Sequence, residues 1–435
     1  MSERAPRQRR RLTATVTDLE VRRQRAFLVG VQLPGHNGME AERSLDELAL
    51  LTATAGSEPL DRELVRRSHP NPATFIGKGK LTELSALGKA QDIDVVVFDN
   101  ELTPAQQRNL QQAFGCDVVD REALILDIFA QHAHSREGSI QVELALLRYH
   151  LPRLRGRGTQ LSQQGAGIGT RGPGETKLET DQRRIRHRIS ALERQLVELT
   201  KSRQTQRKAR KIAAIPQVGL VGYTNAGKST LLNLLTGADV LTEDRLFSTV
   251  DPTVRRATLP DGRFALLSDT VGFVRRLPHQ LVQAFHSTLQ EVREADLLVH
   301  LVDATDPDPD GQIAAVREVL AEIEAEHVPE LLAFNKVDAA DAIAINRLVN
   351  IHPEAVPISA LKGTGIEALL ERIGAMLNSD RVPVRLEIPY SRGDLLAELH
   401  RIAEVIVEKH DEAGTVMEAR VPRSALVGLA PYLST

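Results

Sequence analysis

The stretch Gln217-Val-Gly-Leu-Val-Gly222-Tyr-Thr-Asn-Ala-Gly-Lys228-Ser229-Thr230-Leu-Leu-Asn-Leu-Leu235 decides the fold. Its first residues are a short apolar run bounded by glycine, the mark of a buried strand, and its last carry leucines on a helix. Between them Gly222, Tyr223, Thr224, Asn225, Ala226, Gly227, Lys228 and Ser229 match G-x-x-x-x-G-K-[ST], in the strand–loop–helix setting that this motif requires. The glycines let backbone N–H groups close around phosphate oxygens. Lys228 should reach the terminal phosphates and Ser229 should ligate Mg2+, with Thr230 opening the helix beside them. A strand feeding a helix through such a loop is the unit of a mostly parallel α/β sheet.

Downstream, three more elements stand at expected strand ends. Asp269-Thr-Val-Gly272 closes the apolar run Phe264–Ser268. Asp269 is expected to hold Mg2+ through water, and the Gly272 N–H to meet a γ-phosphate. Asn335-Lys336-Val-Asp338 ends the next run but one. The Asp338 carboxylate can accept from guanine N1 and N2 together, a donor pair that adenine lacks, while Lys336 lies along the base. Ser359-Ala360 follows Val356–Ile358, and the Ala360 N–H can meet guanine O6. Four elements in this order, each at a strand's C-terminal end, specify a guanine nucleotide, GTP or GDP. The loop between Leu241 and Arg255 should supply a Thr that reports the γ-phosphate through Mg2+; Thr253 is the choice and Thr249 the alternative. Lys228, Gly272 and Thr253 are thus the expected catalytic groups, and Ser229, Thr253 and Asp269 the metal set.

After Gly272 comes Phe273, where many GTPases place a Gln that orients water. Phe cannot do this, so intrinsic hydrolysis should be slow and assisted by a partner or by a monovalent cation. K+ held with the help of Asn225 is one candidate; a polar turn residue is an equal reading of Asn225.

Upstream, strand and helix signals alternate. Arg25–Leu33, ending at Pro34-Gly35, and Asp94–Asp99 read as strands. Ser44 with Glu47 suggests a capping box opening a helix, Thr103-Pro104 starts another, and Cys116–Asp120 is a short strand. Residues 137–151 read as a long helix. Seven glycines between 156 and 174 exclude regular structure there. After Pro173, Leu178, Ile185, Ile189, Leu192, Leu196 and Leu199 form a heptad seam, which predicts an antiparallel pair with helix 137–151. Residues 201–211 lose the apolar stripe and read as the arm's end and a linker. The expected organisation is a basic disordered tail (1–20), an α/β domain (21–135), a helical arm (136–213) with tip loop 152–176, a P-loop domain (214–379) and a small α+β module (380–435).

The 435 residues carry a net charge of −3, which conceals a strong asymmetry. Between 148 and 211 stand 13 Arg and 4 Lys against five acidic residues, a net +12; residues 1–11 add +4, leaving −19 for the rest. Such a basic segment points to a polyanion partner. With 3% aromatics and no Trp, stacking platforms are not the means of recognition. A single cysteine, Cys116, excludes an internal disulfide and a cysteine zinc cluster, and its strand setting favours burial over nucleophilic chemistry. No apolar run approaches the ~18–20 residues needed to span a bilayer, and no secretory signal is evident. The expectation is a monomeric cytoplasmic protein, with peripheral membrane association left open. Alternatives to an RNA-binding switch are a tRNA-modifying GTPase and an assembly or signalling GTPase whose arm docks proteins.

With these residues identified, the chain resembles the HflX family of ribosome-associated GTPases. The resemblance runs from about residue 20 to the end. It rests on Asn71-Pro-Ala-Thr-Phe-Ile-Gly-Lys-Gly-Lys80, Arg171-Gly-Pro-Gly-Glu-Thr-Lys-Leu-Glu-Thr-Asp181, Leu246-Phe-Ser-Thr-Val-Asp-Pro-Thr253 and Asp269-Thr-Val-Gly-Phe273. It implies GTP hydrolysis stimulated by the ribosome, binding to the large subunit and its rRNA, and splitting or rescue of stalled ribosomes under stress. It also implies that the arm engages the ribosome; Arg153, Arg155, Arg157 and Arg171 are the expected RNA contacts. The ATPase activity reported for some members' N-terminal domains is not expected, since residues 1–135 hold no P-loop.

Overall fold

A computed structural model describes residues 23–35, 37–154, 173–212, 215–237, 246–247, 253–276, 286–378, 381–411, 414–422 and 425–434. The chain divides into two compact units. One comprises residues up to Asp99 together with Gln107–Val119; the other comprises Asn100–Gln106 and everything from Asp120 onward.

The first unit is built on a sheet of β1 (Arg25–Gln32), β2 (Glu58–Arg66), β3 (Val95–Phe98) and β4 (Asp117–Asp120), in the order β2-β1-β3-β4. β1 runs parallel to both its neighbours and is buried along its length. Strand β2 gave no sequence signal: Glu-Pro-Leu-Asp-Arg-Glu-Leu-Val-Arg is polar and largely exposed, as suits an edge. Helix α1 (Gly38–Thr54) starts earlier than the sequence suggested. Asn37 is its cap, accepting from the Met39 N–H at 3.1 Å. Ser44 is therefore not a cap. It lies buried inside the helix and donates to Asp99 at 2.7 Å, giving a buried carboxylate a partner.

The Asn71–Lys80 signature proves to be a turn that launches helix α2 (Lys78–Ala90). Asn71 Oδ1 accepts from the N–H groups of Ala73 and Thr74, and Phe75 takes a positive φ of 62°. Helix α3 (Pro104–Phe114) begins as expected. Thr103 and Gln106 cap each other reciprocally, the Gln106 side chain accepting from the Thr103 N–H at 2.9 Å. Cys116 is half-buried rather than a core residue, and burial beside Asp117 pushes its thiol up to about 11.

The second unit opens with α4 (Arg121–His132) and α5 (Arg136–Arg153), followed by α6 (Pro173–Ile212). Asp120 caps α4 and Ser135 caps α5. The heptad seam packs as its spacing required over Ile189–Leu199: Ile140 and Leu144 of α5 cluster with Leu192 of α6, flanked by Leu147, Ile189, Leu196 and Leu199, while the side chain of Leu178 lies outside the described residues. The pairs Glu143–Arg188 and Arg148–Glu193 link the two helices at 2.7–2.8 Å. One correction concerns 201–211, which continue α6 as helix and are not a linker. Lys, Arg, Gln and Ala are good helix formers, so losing an apolar stripe ends a packing face without ending a helix.

A six-stranded sheet follows, in the order β10-β9-β8-β5-β7-β6. Its strands are β5 (Gln217–Gly222), β6 (Thr253–Thr258), β7 (Phe264–Asp269), β8 (Leu297–Asp303), β9 (Glu330–Asn335) and β10 (Val356–Pro357). All pairings are parallel except β6 with β7. Helices α7 (Lys228–Thr236), α8 (His286–Arg293), α9 (Pro309–Glu322), α10 (Ala342–Ile351) and α11 (Ile366–Asn378) complete it. Leu231, Leu232, Leu369 and Ile373 cover one face, and Ile313 and Leu348 pack with Val302 and Phe334. An antiparallel sheet of β11 (Arg381–Pro389), β12 (Glu404–His410), β13 (Gly414–Pro422) and β14 (Leu433–Ser434) closes the chain. Helix α12 (Gly393–Ile402) covers it through Leu395 and Leu399. The architecture is multidomain α/β, with a parallel-dominated sheet carrying the P-loop.

Candidate nucleotide site

The C-terminal ends of β5, β7, β9 and β10 share one edge of the six-stranded sheet. At its centre β5 hands the chain to α7 through the loop Tyr223–Gly227. The bends demand particular residues. Gly222 sits at φ +147°, where a Cβ would lie 2.2 Å from the Leu301 carbonyl oxygen. Gly227 sits at φ +95°, with Asn335 Nδ2 at the same short distance from an added Cβ. Only glycine meets both requirements. Asn225 also takes a positive φ, of 61°.

Lys228 is 6% exposed, and its ammonium donates to the Gly222 and Tyr223 carbonyls at 3.1 and 2.8 Å. Burial lowers its pKa to about 8, opposed by the charge of Asp269. Carbonyls are weak partners for a buried cation, so an anionic oxygen arriving here strengthens its charge. The Ser229 hydroxyl donates to Asp269 at 2.6 Å, and Asp269 is fully buried. Thr253, the first residue of β6, stands opposite Asp269 in the β6–β7 ladder. Gly272 approaches so closely that a Cβ would meet Thr224 Cα at 2.9 Å and Lys228 Nζ at 3.2 Å. The structure thus brings Lys228, Ser229, Thr253, Asp269 and Gly272 together. Thr249 lies outside the described residues.

The Asn335–Asp338 and Ser359-Ala360 motifs are joined to the loop by side chains. Asn335 donates to the Ala226 carbonyl at 2.8 Å and accepts from the Ala360 N–H at 2.9 Å, binding three motifs into one frame. Asp338 accepts from Ser359 at 2.6 Å, and Lys336 pairs with Asp303 at 2.7 Å. Lys336 holds a φ of +64°. Thr230 follows in the first turn of α7. One participant was missed in the sequence. Asp303 ends β8 and orients Lys336; an acidic residue at a strand end was its only signal. Tyr223 is 7% exposed, and its hydroxyl accepts from the Arg275 N–H at 2.6 Å. Phe273 is 1% exposed, so its ring belongs to the core, while its backbone pairs with Gly222 and Thr224 at 3.1 and 2.8 Å.

The RNA contacts fare differently. Arg153 is committed inside the fold, which corrects its assignment. Its guanidinium donates to Asp120 at 3.1 Å and to the Leu102 carbonyl at 2.9 Å, and stacks 3.4 Å from the Tyr149 ring centroid. A fully buried Asp120 carboxylate needs that charge. Arg155, Arg157 and Arg171 lie outside the described residues. A cavity of about 400 Å3, lined by Arg317, Glu330, His352 and Arg372, opens at the other ends of the strands, away from the nucleotide motifs.

Comparison with known proteins agrees with this geometry. Residues 42–130 match a family described as GTP-binding GTPase N-terminal, and 132–210 match GTP-binding GTPase middle region. Residues 217–336 match a family described as 50S ribosome-binding GTPase. GTPase HflX of Caldanaerobacter subterraneus subsp. tengcongensis is 48% identical over 399 residues, covering 92% of this chain and 91% of that protein. GTPase HflX of Escherichia coli K12 is 43% identical over 402 residues, covering 92% and 94%. That of Alkalihalophilus pseudofirmus is 45% identical over 387 residues, covering 89% and 90%. With a P-loop, a paired Ser229 and Asp269 and the linked Asn335–Asp338 and Ser359-Ala360 motifs on one sheet edge, and relatives of this identity along nearly its whole length, the chain belongs to the HflX family of GTPases.

Proposed function

We propose that this GTPase acts as a GTP-driven switch on the large ribosomal subunit, splitting or rescuing stalled ribosomes under stress. The observation that carries the reading is the pairing, in one compact unit, of the nucleotide edge with a two-helix arm whose segment bears a net +12. The family description for residues 217–336 supports it. The arm (136–213) meets rRNA phosphates, with Arg155, Arg157 and Arg171 as contacts; the expected tip loop 152–176 is shortened at both ends, since α5 runs to Arg153 and α6 starts at Pro173. The P-loop domain (214–379) sets affinity; the α/β domain (21–135) and the C-terminal module (380–435) complete a monomer that works in the cytoplasm. Among the described residues no helix is long and apolar enough to cross a membrane.

In this mechanism Gly222–Ser229 cradle the phosphates and Lys228 gives its proton-bearing ammonium to the β- and γ-oxygens. Asp338 accepts from the guanine, with Ser359, Ala360 and Lys336 framing the base. The Gly272 N–H holds the γ-phosphate, and Thr253 reports it. The hard oxygen donors of Ser229 and Asp269, 2.6 Å apart, fit Mg2+, with Thr253 as a further ligand. When bound, Mg2+ supplies charge neutralisation on the phosphates. Phe273 leaves the attacking water without a side-chain partner, so the ribosome stimulates hydrolysis; Asn225 is the residue to help hold K+.

Co-sedimentation with large subunits in GTP and GDP forms, across a salt series, tests the reading. Binding should favour the GTP form and weaken steeply with salt. Replacing Arg155, Arg157 and Arg171 together with Ala should flatten the slope of log K against log salt by about 3. An unchanged slope removes the arm from the interface, and absent binding in both forms overturns the ribosomal role.

A further inference from the structure

Helix α4 reaches two segments that flank the P-loop domain's nucleotide motifs in the chain. Arg121, its first residue, is 2% exposed, and its guanidinium donates to the Arg275 carbonyl at 3.1 Å. Arg275 is held from three directions. Its carbonyl takes Arg121, its N–H takes the Tyr223 hydroxyl of the phosphate loop at 2.6 Å, and its guanidinium pairs with Asp308 at 2.8 Å. Arg275 stands three residues after Gly272, in the same segment.

The second contact is aromatic. Phe247 belongs to the Leu246–Thr253 segment before β6, is 2% exposed and holds a φ of +58°. Its ring rests on Phe129 of α4, with centroids 4.7 Å apart and planes inclined at 46°. Positions 121 and 129 are two turns apart, so one helix meets both segments that flank the γ-phosphate position. At its start α4 is tied to the arm. Asp120 caps it and also accepts from Tyr149 at 2.9 Å and Arg153 at 3.1 Å, both on α5.

We infer that Arg121 and Phe129 are positioning residues through which α4 senses the nucleotide state at Arg275 and Phe247 and passes it to α5 and the arm. A ligand shifts an equilibrium only by interacting differently with its two states. A directed hydrogen bond and a tilted ring pair supply that difference, because each is made in one position of the segment and lost in another. The rigid path from Asp120 to Tyr149 and Arg153 then carries displacement into α5 without a flexible joint.

Amide hydrogen exchange on the full chain, bound in turn to GDP and to a non-hydrolysable GTP analogue, tests this. The inference rests on the GTPase assignment alone and needs no ribosome. In the native chain, amides of residues 121–132 should differ in protection by about tenfold between the two forms. Arg121→Gln with Phe129→Leu should abolish that difference while residues 270–276 keep theirs, with both nucleotides still binding. A residue that merely holds the fold would lower protection equally in both forms. Equal protection of 121–132 in the native chain overturns the inference, and so does a difference that survives the double substitution. Should the double variant fold poorly, Arg121→Lys and Phe129→Leu made singly serve instead, and a native difference that survives in both overturns the inference.

Discussion

The nucleotide edge of the six-stranded sheet and the arm of α5 and α6 belong to one compact unit, yet they hold their shapes by different means. At the edge, backbone groups and short polar side chains lock together: Gly222 against the Leu301 carbonyl, Asn335 between Ala226 and Ala360, Asp338 on Ser359. In the arm a few apolar side chains around Leu192 make the contact, and the charges stand mostly outside it. Geometry at the edge is therefore intolerant of change, while in the arm Arg148, Arg153 and Arg188 are held by carboxylates of the chain itself. Directional bonds suit a site that must recognise one molecule; non-directional packing suits a lever that must present charge.

Three measurements break or sharpen this contrast. The largest effect is expected at the edge. Asp338→Asn removes the carboxylate proposed to accept two guanine donors, and GTP affinity should fall by about 1,000-fold with a gain for xanthine nucleotides, read by fluorescent-nucleotide titration. Undiminished GTP affinity would remove Asp338 from base recognition. Next, Leu192→Ala empties the arm's buried contact and should cost about 3 kcal/mol of local stability, seen as faster amide exchange in α5 and α6. Nucleotide affinity should not change; a parallel loss there would show that the two regions are not independently built. The smallest effect is in pH. Lys228 is protonated below about 8 and loses its charge above it, and phosphate binding needs the charged form. Affinity for GTP should therefore hold below pH 8 and fall by up to about tenfold per unit above it. In the free protein the sign reverses. The unfolded chain keeps this proton to higher pH than the native one, so its contribution to stability rises between about pH 8 and the ordinary lysine range. A flat affinity from pH 7 to 9.5 would contradict the lowered pKa.

Much of this could be read from sequence because it is local. The phosphate loop needs eight consecutive residues between a strand and a helix, and the heptad seam needs only spacing, so both appear in the structure where the sequence placed them. Where the reading failed, a distant partner had intervened. Ser44 looked like a helix cap because Glu47 follows it, but Asp99, 55 residues away, takes its hydroxyl. Arg153 looked like a free cation of a basic segment, but Asp120 and Tyr149 hold it. Residues 201–211 lacked an apolar face and still continue α6, since helix propensity and packing are separate properties. Strand β2 stayed hidden because an edge strand needs backbone pairing with β1 more than it needs apolar side chains.

The sequence by itself determined the order of motifs, the strand-end position of each, the seam of the arm and the concentration of positive charge between 148 and 211. These follow from residues close together in the chain, where φ, ψ, spacing and charge act directly. Only the tertiary structure decided that Asn335 would bind three motifs into one frame, that Lys228 would be buried enough to lower its pKa, and that α4 would meet Arg275 and Phe247. Such contacts join residues from tens to more than 100 positions apart. They exist only once strand order and helix packing have brought those side chains face to face.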